Sequence, residues 1–454
     1  MLLPEFQAVI LAAGKGSRMP ELTAGKPKCL LPIGGKPLVW YPLHKLQQSG
    51  FNDVILIVAE NQKTEIQNAI DRTNLNIKVD YFSIGDEELG TADSLRLIHE
   101  KIKSDVLVLS CDLVTDVNLS EVVNLFRQHD ASICALLFHP PSAEQVVIPG
   151  PKAKHKPERD LIGVDTQTNR LVFLASASDF ESNVNLPKSL VRKHTNITMY
   201  SNLIDSHVYV LKKWVIKYLL HEKSISTIKG ELLPHIIRKQ LSKPKVKEHN
   251  LSVVNTKDSN DIFHYAGESE SDSLCVRNAS TYNDHYGDVK PCYNNDIIRC
   301  FAYIAKPDTY GIRVNTLPAY CLVNAKIIEK WDKIADGKEL IRMDSKADVK
   351  STQVDDKCII WESSRLHEKT SYKNSIIGAN SEVQNFSRVF NSILMSNVVI
   401  KEKVALENCI VCDGVVIESG SQIKNCLIGS RHVIPKQSVH SHEVLTVTDR
   451  LMEF

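Results

Sequence analysis

The chain has 454 residues, enough for two or three domains with separate cores, and its 55 basic and 54 acidic side chains leave a net charge near +1. That balance provides no general field for nucleic acid or a membrane surface, and no run of about eighteen uninterrupted apolar residues marks a transmembrane helix. Eleven cysteines, odd in number and often inside apolar runs such as VLVLSCD, read as reduced thiols and place the expected location in the cytosol.

The opening MLLPEFQAVILAAGKG carries Glu5 and no basic leader, so it reads as a first strand and not as a signal peptide. From Phe6 to about Gln240 the runs QAVILAA, DVILIVA, KVDYFSI, DVLVLSCD and ASICALLF suit strands buried on both faces. Between them PLVWYPLHKLQQSG, KTEIQNAIDRTN and GTADSLRLIHEKIK read as helices, the first closed by Gly50. This alternation predicts an α/β domain over residues 1–240 with a mainly parallel, doubly wound, Rossmann-like sheet. Ligands on such sheets sit beyond the carboxyl ends of the strands, where three motifs fall: the loop after Leu11, Gly90-Thr91-Ala92, and Cys111-Asp112.

The loop ILAAGKGSRMPELTAGKPK invites three phosphate-binding readings. A dinucleotide fingerprint needs a glycine where Met19 stands, and a Walker loop needs Ser or Thr where Pro27 stands, so both fail. What remains is a small-residue turn at Gly14 and Gly16 whose amides can approach phosphate oxygens, with Arg18 as a fork and Lys28 as a point charge. The longer stretch LAAGKGSRMPELTAGKPKCLLPIGGKP resembles the signature of the sugar-phosphate nucleotidyltransferases, with Gly14, Gly16, Arg18, Thr23, Pro27, Lys28 and Pro32 in register and Pro20 one place early. The resemblance implies that Gly90 and Thr91 face base and ribose and that Asp112 holds magnesium beside the phosphates. Unaided, Asp112 reads either as a hard oxygen ligand at a strand end or as a loop or helix-capping acid.

The resemblance then decays. The Glu-Lys-Pro that grips sugar and phosphate in the family is replaced in IGVDTQTNRLVFLASASDF by Ala175 and Ser176. Where the family's second metal acid aligns, FAYIAKPDTYGIRVNTLPAY has Arg313, and a cation in place of a ligand opposes a magnesium site. No resident cofactor or metal is therefore expected, and at most weak nucleotide binding by the residues named.

Residues 141–160 are rich in proline and lysine and read as an exposed insertion, and residues 241–297 as a polar linker or insertion; 298–345 read as the end of the first domain and a connector. Over 346–440 the words NSIIG, NSILM, NCIVC and NCLIG begin at Asn374, Asn391, Asn408 and Asn425, a period of 17. Apolar residues step through each period by six, six and five: Ile377, Val383, Val389; Leu394, Ile400, Leu406; Val411, Ile417, Ile423. This is hexapeptide-repeat arithmetic, and it predicts a left-handed parallel β-helix of about five coils followed by a tail over 441–454. The register makes Cys409 and Cys412 repeat-filling residues and not a zinc pair, and His432 alone supplies no basis for acyl transfer.

A nucleotidyltransferase-like domain joined to a β-helix, with GTADSLR, VLVLSCDLVTDV, RDLIGVD and RVNTL, resembles the gamma-subunit family of the guanine-nucleotide exchange factor for eukaryotic translation initiation factor two. The resemblance implies a non-catalytic subunit working with an epsilon-type subunit, with alpha, beta and delta subunits, and with the GTPase substrate. It implies no direct nucleic-acid or membrane partner. The alternative is an active sugar-1-phosphate nucleotidyltransferase, which the loop around Arg18 and Lys28 favours and the missing clamp and second acid oppose.

Overall fold

The computed structural model describes residues 5–85, 89–140, 146–151, 160–176, 184–242, 261–267 and 296–446. The five expected strands join five others in one ten-stranded sheet. In its first half Lys78–Ile84, Asp53–Ala59, Phe6–Leu11 and Asp105–Ser110 lie side by side and parallel. Ile204–Leu211 then runs antiparallel between Asp105–Ser110 and Ile133–Phe138. Beyond Ile133–Phe138 come Cys300–Ile304, Arg170–Ser176, Asp160–Asp165 and finally Ile197–Tyr200. Cys300–Ile304 pairs parallel with Ile133–Phe138, but the outer strands are antiparallel, because a tight turn with Asn169 at φ 57° folds Arg170–Ser176 straight back on Asp160–Asp165. The sheet is thus mixed, where the strand–helix alternation of the first half alone suggested a mainly parallel one.

The strands read as continuous apolar runs because both faces are covered. In Phe6–Leu11, Val9 belongs to the core on one side of the sheet, while Ala8 and Ile10 belong to the core on the other. The helix Trp40–Gln48 ends at Gly50, whose φ of 85° only glycine adopts without strain. Two stretches expected to be loose are not so where they are described. Residues 262–267 are helical and add Ile262, Tyr265 and Ala266 to the first core. In the insertion, residues 141–145 and 152–159 lie outside the described residues, but 146–151 run along the solenoid, with Gly150 N–H donating to Asn425 O at 2.8 Å.

The repeat region is a three-faced parallel solenoid with six rungs on each face, one more coil than the words alone suggested. Its first face runs from Asp348–Val349 to Val433–Ile434, its second from Gln353–Val354 to Val439–Ser441, and its third from Ile359–Ile360 to Val444–Leu445. The last rungs therefore use residues expected in the tail. Every residue of the six-six-five progression lies in one continuous core. The asparagine that opens each word adopts a left-handed turn, φ 45–53°, and Asn374 and Asn408 each donate a side-chain bond to the asparagine one coil on. The serine position that follows closes on the carbonyl two residues back, and the cysteines fill the same role: Ser375 Oγ reaches Lys373 O at 2.8 Å and Cys409 Sγ reaches Glu407 O at 3.2 Å. Among the described residues no cluster of His, Cys, Asp and Glu could hold a metal, and no helix is long and apolar enough to cross a membrane.

The third face differs from the others. Its rungs carry two consecutive apolar residues because both sides are buried: Ile360, Ile377 and Val411 fill the solenoid, while Ile359, Ile376, Ile410 and Leu427 face outward into a core shared with the first domain. That shared core is completed by the nineteen-residue helix Leu317–Ala335, which contributes Tyr320, Val323, Ile327 and Trp331. The helix begins at Thr316, whose hydroxyl accepts from Ala319 N–H at 3.4 Å, with Pro318 in its first turn.

Candidate functional site

The signature loop leaves the strand Phe6–Leu11 at its carboxyl end. Gly16 takes φ 74°, and a Cβ there would lie 2.7 Å from Thr23 Cγ2. Thr23 is in the signature for a structural reason, since its hydroxyl bonds the carbonyls of Met19 at 3.0 Å and Gly16 at 3.3 Å and so closes the turn. Gly14 and Arg18 are exposed on this loop. The paired glycines Gly34 and Gly35 form the turn of a small hairpin, Pro32–Ile33 with Lys36–Pro37, wedged between the Leu317–Ala335 helix and the solenoid.

Asp112 follows the strand Asp105–Ser110, is 1% exposed, and is held by two cations. Lys28 Nζ donates to its Oδ2 at 2.5 Å, while Arg313 approaches edge-on, with Nε 3.3 Å from Oδ1 and Nη2 3.3 Å from Oδ2. Arg313 gets there because Gly311–Arg313 pairs antiparallel with Leu113–Thr115, which seats Arg313 opposite Leu113, and Val314 N–H bonds the Asp112 carbonyl at 2.8 Å. Burial alone would raise the Asp112 pKa, but Arg313 and then Lys28 overcome it and hold the carboxyl well below the usual range. Burial works against the charge on Arg313 as well, and Asp112 restores it, with a net upward shift.

These residues do not suit a divalent cation. A magnesium site gathers carboxylate oxygens around a positive charge, whereas here one carboxylate already neutralises two fixed cations, and the place of a second acid is taken by Arg313. The structure brings Asp112 and Lys28 together as an ion pair with each other.

The Gly90–Thr91 turn is also engaged within the fold. Ala92 N–H donates to Ser226 O at 2.8 Å, Thr91 Oγ1 accepts from Ile228 N–H at 2.8 Å, and a Cβ on Gly90 would fall 2.1 Å from Ser226 O. Ala175 and Ser176 end the strand Arg170–Ser176, where Ser176 lies opposite Asp160, itself paired with Lys229 at 2.9 Å.

Sequence reading passed over the polar residues behind the ion pair. Ile204–Leu211 has an irregular register between Asp205 and Tyr209, and His207 there takes φ 53°. Tyr209 OH donates to Asp205 Oδ2 at 2.6 Å, and His207 N–H donates to Asp205 Oδ1 at 2.8 Å. Burial, reinforced by Arg313, pushes the His207 pKa well down, while burial pushes Asp205 up. The one available signal was three polar residues, Asp205-Ser206-His207, inside a strand that otherwise reads as buried. A separate cavity of about 270 Å³ lies between the Leu317–Ala335 helix and the third face, lined among others by Asn324, Asn374, Asn391 and Asn408.

Comparison with known proteins places both halves. The nucleotidyl transferase family matches residues 7–146, and the GlmU-like C-terminal hexapeptide family matches residues 361–443. The translation initiation factor eIF2B subunit gamma of Schizosaccharomyces pombe is 32% identical over 70% of this chain, and that of Dictyostelium discoideum 28% identical over 84%. The chain is similar to eIF2B gamma subunits over most of its length. The match spans 65% of the length of the S. pombe relative and 89% of the Dictyostelium one. A weaker similarity, 22% over 54% of this chain and 36% of the relative, links it to the S. pombe eIF2B subunit epsilon. This chain thus combines a nucleotidyltransferase-like sheet with a hexapeptide solenoid.

Proposed function

We propose that the chain is a non-catalytic gamma-type subunit of the guanine-nucleotide exchange factor for translation initiation factor 2, acting in the cytosol with an epsilon-type subunit that performs the exchange and with alpha, beta and delta subunits. Similarity to eIF2B gamma subunits supports the assembly. The observation that supports the absence of chemistry is the pairing of Asp112 with both Lys28 and Arg313, which commits that carboxylate to two cations and not to a metal. The first domain then serves as a scaffold. The test is GDP release from initiation factor 2: adding this chain to the epsilon-type subunit raises the rate, while the chain alone releases none. An unchanged rate with this chain in excess overturns the proposal.

The rival reading, an active sugar-1-phosphate nucleotidyltransferase, is favoured by one observation, the preserved Gly14–Lys28 loop. It is tested by pyrophosphate release from GTP or ATP with hexose-1-phosphates. Under the scaffold reading the chain gives no more product than its Lys28→Ala variant. Weak nucleotide binding or none is expected at the same loop, and micromolar affinity, about −8 kcal/mol, abolished by Arg18→Ala would show a working site.

A further inference from the structure

At the corner between the second and third faces, positions 17 residues apart hold Lys357, Asn374, Asn391, Asn408, Asn425 and His442. Stacked one rung apart, the amides of such a column can each pass a hydrogen bond to the next coil, and most do. Asn374 Nδ2 donates to Asn391 Oδ1 at 3.1 Å, Asn408 Nδ2 donates to Asn425 Oδ1 at 3.0 Å, and Asn425 Nδ2 lies 3.1 Å from His442 Nε2. The chain of amides breaks once, between Asn391 and Asn408. Among the described residues Asn391 Nδ2 and Asn408 Oδ1 have no hydrogen-bond partner, so an open donor and an open acceptor belong to successive rungs of one wall.

The break falls at the cavity of about 270 Å³ beside the long helix. Ligand pockets begin at roughly that size, about 300 Å³. Beyond the column its walls are largely apolar, with Ile393 and Ile410 from the third face, Ala325 and Ile328 from the helix, and Val146 from the segment that runs along the solenoid. Asn324 also borders it, but both ends of that amide are engaged, Oδ1 accepting from Gly34 N–H at 3.2 Å and Nδ2 donating to Tyr320 O at 3.1 Å. Lys357, in the lining as well, is paired with Glu329 at 3.5 Å.

We propose that this cavity binds a neutral, planar cyclic amide, the chemistry of a nucleobase such as uracil, held between Asn391 and Asn408. An open-chain amide is trans and points its C=O and N–H to opposite sides, so it cannot bond two neighbours on one wall. A ring holds the amide cis and presents both groups on one edge. Its oxygen then accepts from Asn391 Nδ2 while its N–H donates to Asn408 Oδ1, the pairing by which asparagine amides read base edges. Neutrality follows from the walls, where a charge would lie against isoleucines with the one lysine already paired. The site shares no residue with the Gly14 loop or Asp112 and goes beyond the subunit reading. A ligand in it touches the helix, the solenoid and the first domain's 146–151 segment at once, so binding stabilises their joint by mass action.

The experiment reads uracil binding to the full chain by saturation-transfer NMR, with the melting temperature as a second measurement. Uracil is expected to bind and to raise the melting temperature, and N,N′-dimethyluracil, which keeps the ring and loses both N–H groups, to bind at least about tenfold more weakly. Asn391→Asp removes the open donor, keeps an oxygen for Asn374 Nδ2, and suits the left-handed backbone there, φ 48°. It is expected to lose at least about tenfold in affinity with the ligand-free melting temperature unchanged. Ala325→Leu, which fills the cavity from the helix side, is expected to abolish binding and carries the test if the aspartate variant misfolds. The absence of binding up to about 10 mM uracil overturns the proposal, as does equal binding of the dimethyl derivative or wild-type affinity in either folded variant. Loss of binding in Arg18→Ala with Asn391→Asp unaffected places uracil on the Gly14 loop and overturns it too. None of these outcomes bears on the subunit reading, which GDP release decides.

Discussion

Asp112 illustrates how one residue's chemistry is decided by its neighbours. With two cations on a carboxylate that is 1% exposed, removing either leaves a buried charge less well compensated. Arg313→Ala should cost about 3–5 kcal/mol in urea denaturation, and Asp112→Asn added to it should recover part of that loss. A cost below about 1 kcal/mol would mean that the pair contributes little to holding Gly311–Arg313 against Leu113–Thr115. His44 gives a prediction of the same pH sense in a higher window. It stacks on Trp40 at 4.5 Å, and burial lowers its pKa from 6.5 to about 4. The unfolded chain therefore binds the proton first, so stability is full above pH 6.5 and declines as pH falls from 6.5 toward 4, at up to about 1.4 kcal/mol per pH unit. His44→Phe should flatten that part of a stability–pH profile. Asp112 acts lower still, because its depressed pKa withdraws stability only as pH falls below the ordinary carboxylate value. Of these residues, Lys28, Asp112 and Arg313 were legible as a site with its charge reversed. His207 and Asp205 were not, because a bulge within a buried strand leaves no spacing to read.

At the scale of elements, periodicity carried the reading as far as periodicity reaches. The inward ladder of the solenoid could be named residue by residue from steps of six, six and five. The outward ladder of the third face could not, since its meaning depends on a domain several hundred residues earlier in the chain, although the doubled apolar letters in SIIG and CLIG were its trace. The segment 298–345, which reads as the end of the first domain and a connector, contains the helix Leu317–Ala335. The helix has apolar residues around much of its circumference because the first domain and the solenoid both bury it, and that blurs the one-sided stripe by which helices are found. The Gly34–Gly35 hairpin shows how tightly these elements meet. Gly35 has φ 82°, and a Cβ there would lie 1.6 Å from Trp361 Nε1. Gly35→Ala is therefore expected to cost at least about 2 kcal/mol, whereas Gly50→Ala, strained at φ 85° but with nothing within 4 Å, should cost less. Thermal denaturation of the two variants separates the steric from the conformational contribution.

The whole molecule is held together by the core that both domains share, which mixes Met19, Leu22 and Trp40 of the first domain with Ile376, Ile410 and Leu427 of the solenoid. Unfolding should accordingly be one cooperative transition by calorimetry, and Ile410→Asp, which places a charge in that joint, should split it into two. A single unsplit transition in that variant would show that the domains do not depend on this contact. The solenoid adds a property of measurement. Each coil is 17 residues and one rung long, so it works as a ruler graduated in steps of about 4.8 Å. The first domain is fixed to the third face at the rungs from Ile359 to Leu427, and that anchorage sets the zero of the scale. Inserting one whole coil beyond Leu427 would leave every ladder, every asparagine turn and the anchored joint as they are. It would move only the reach of the stack, by one graduation, so that coil number sets how far from the first domain the outermost rung can make contact.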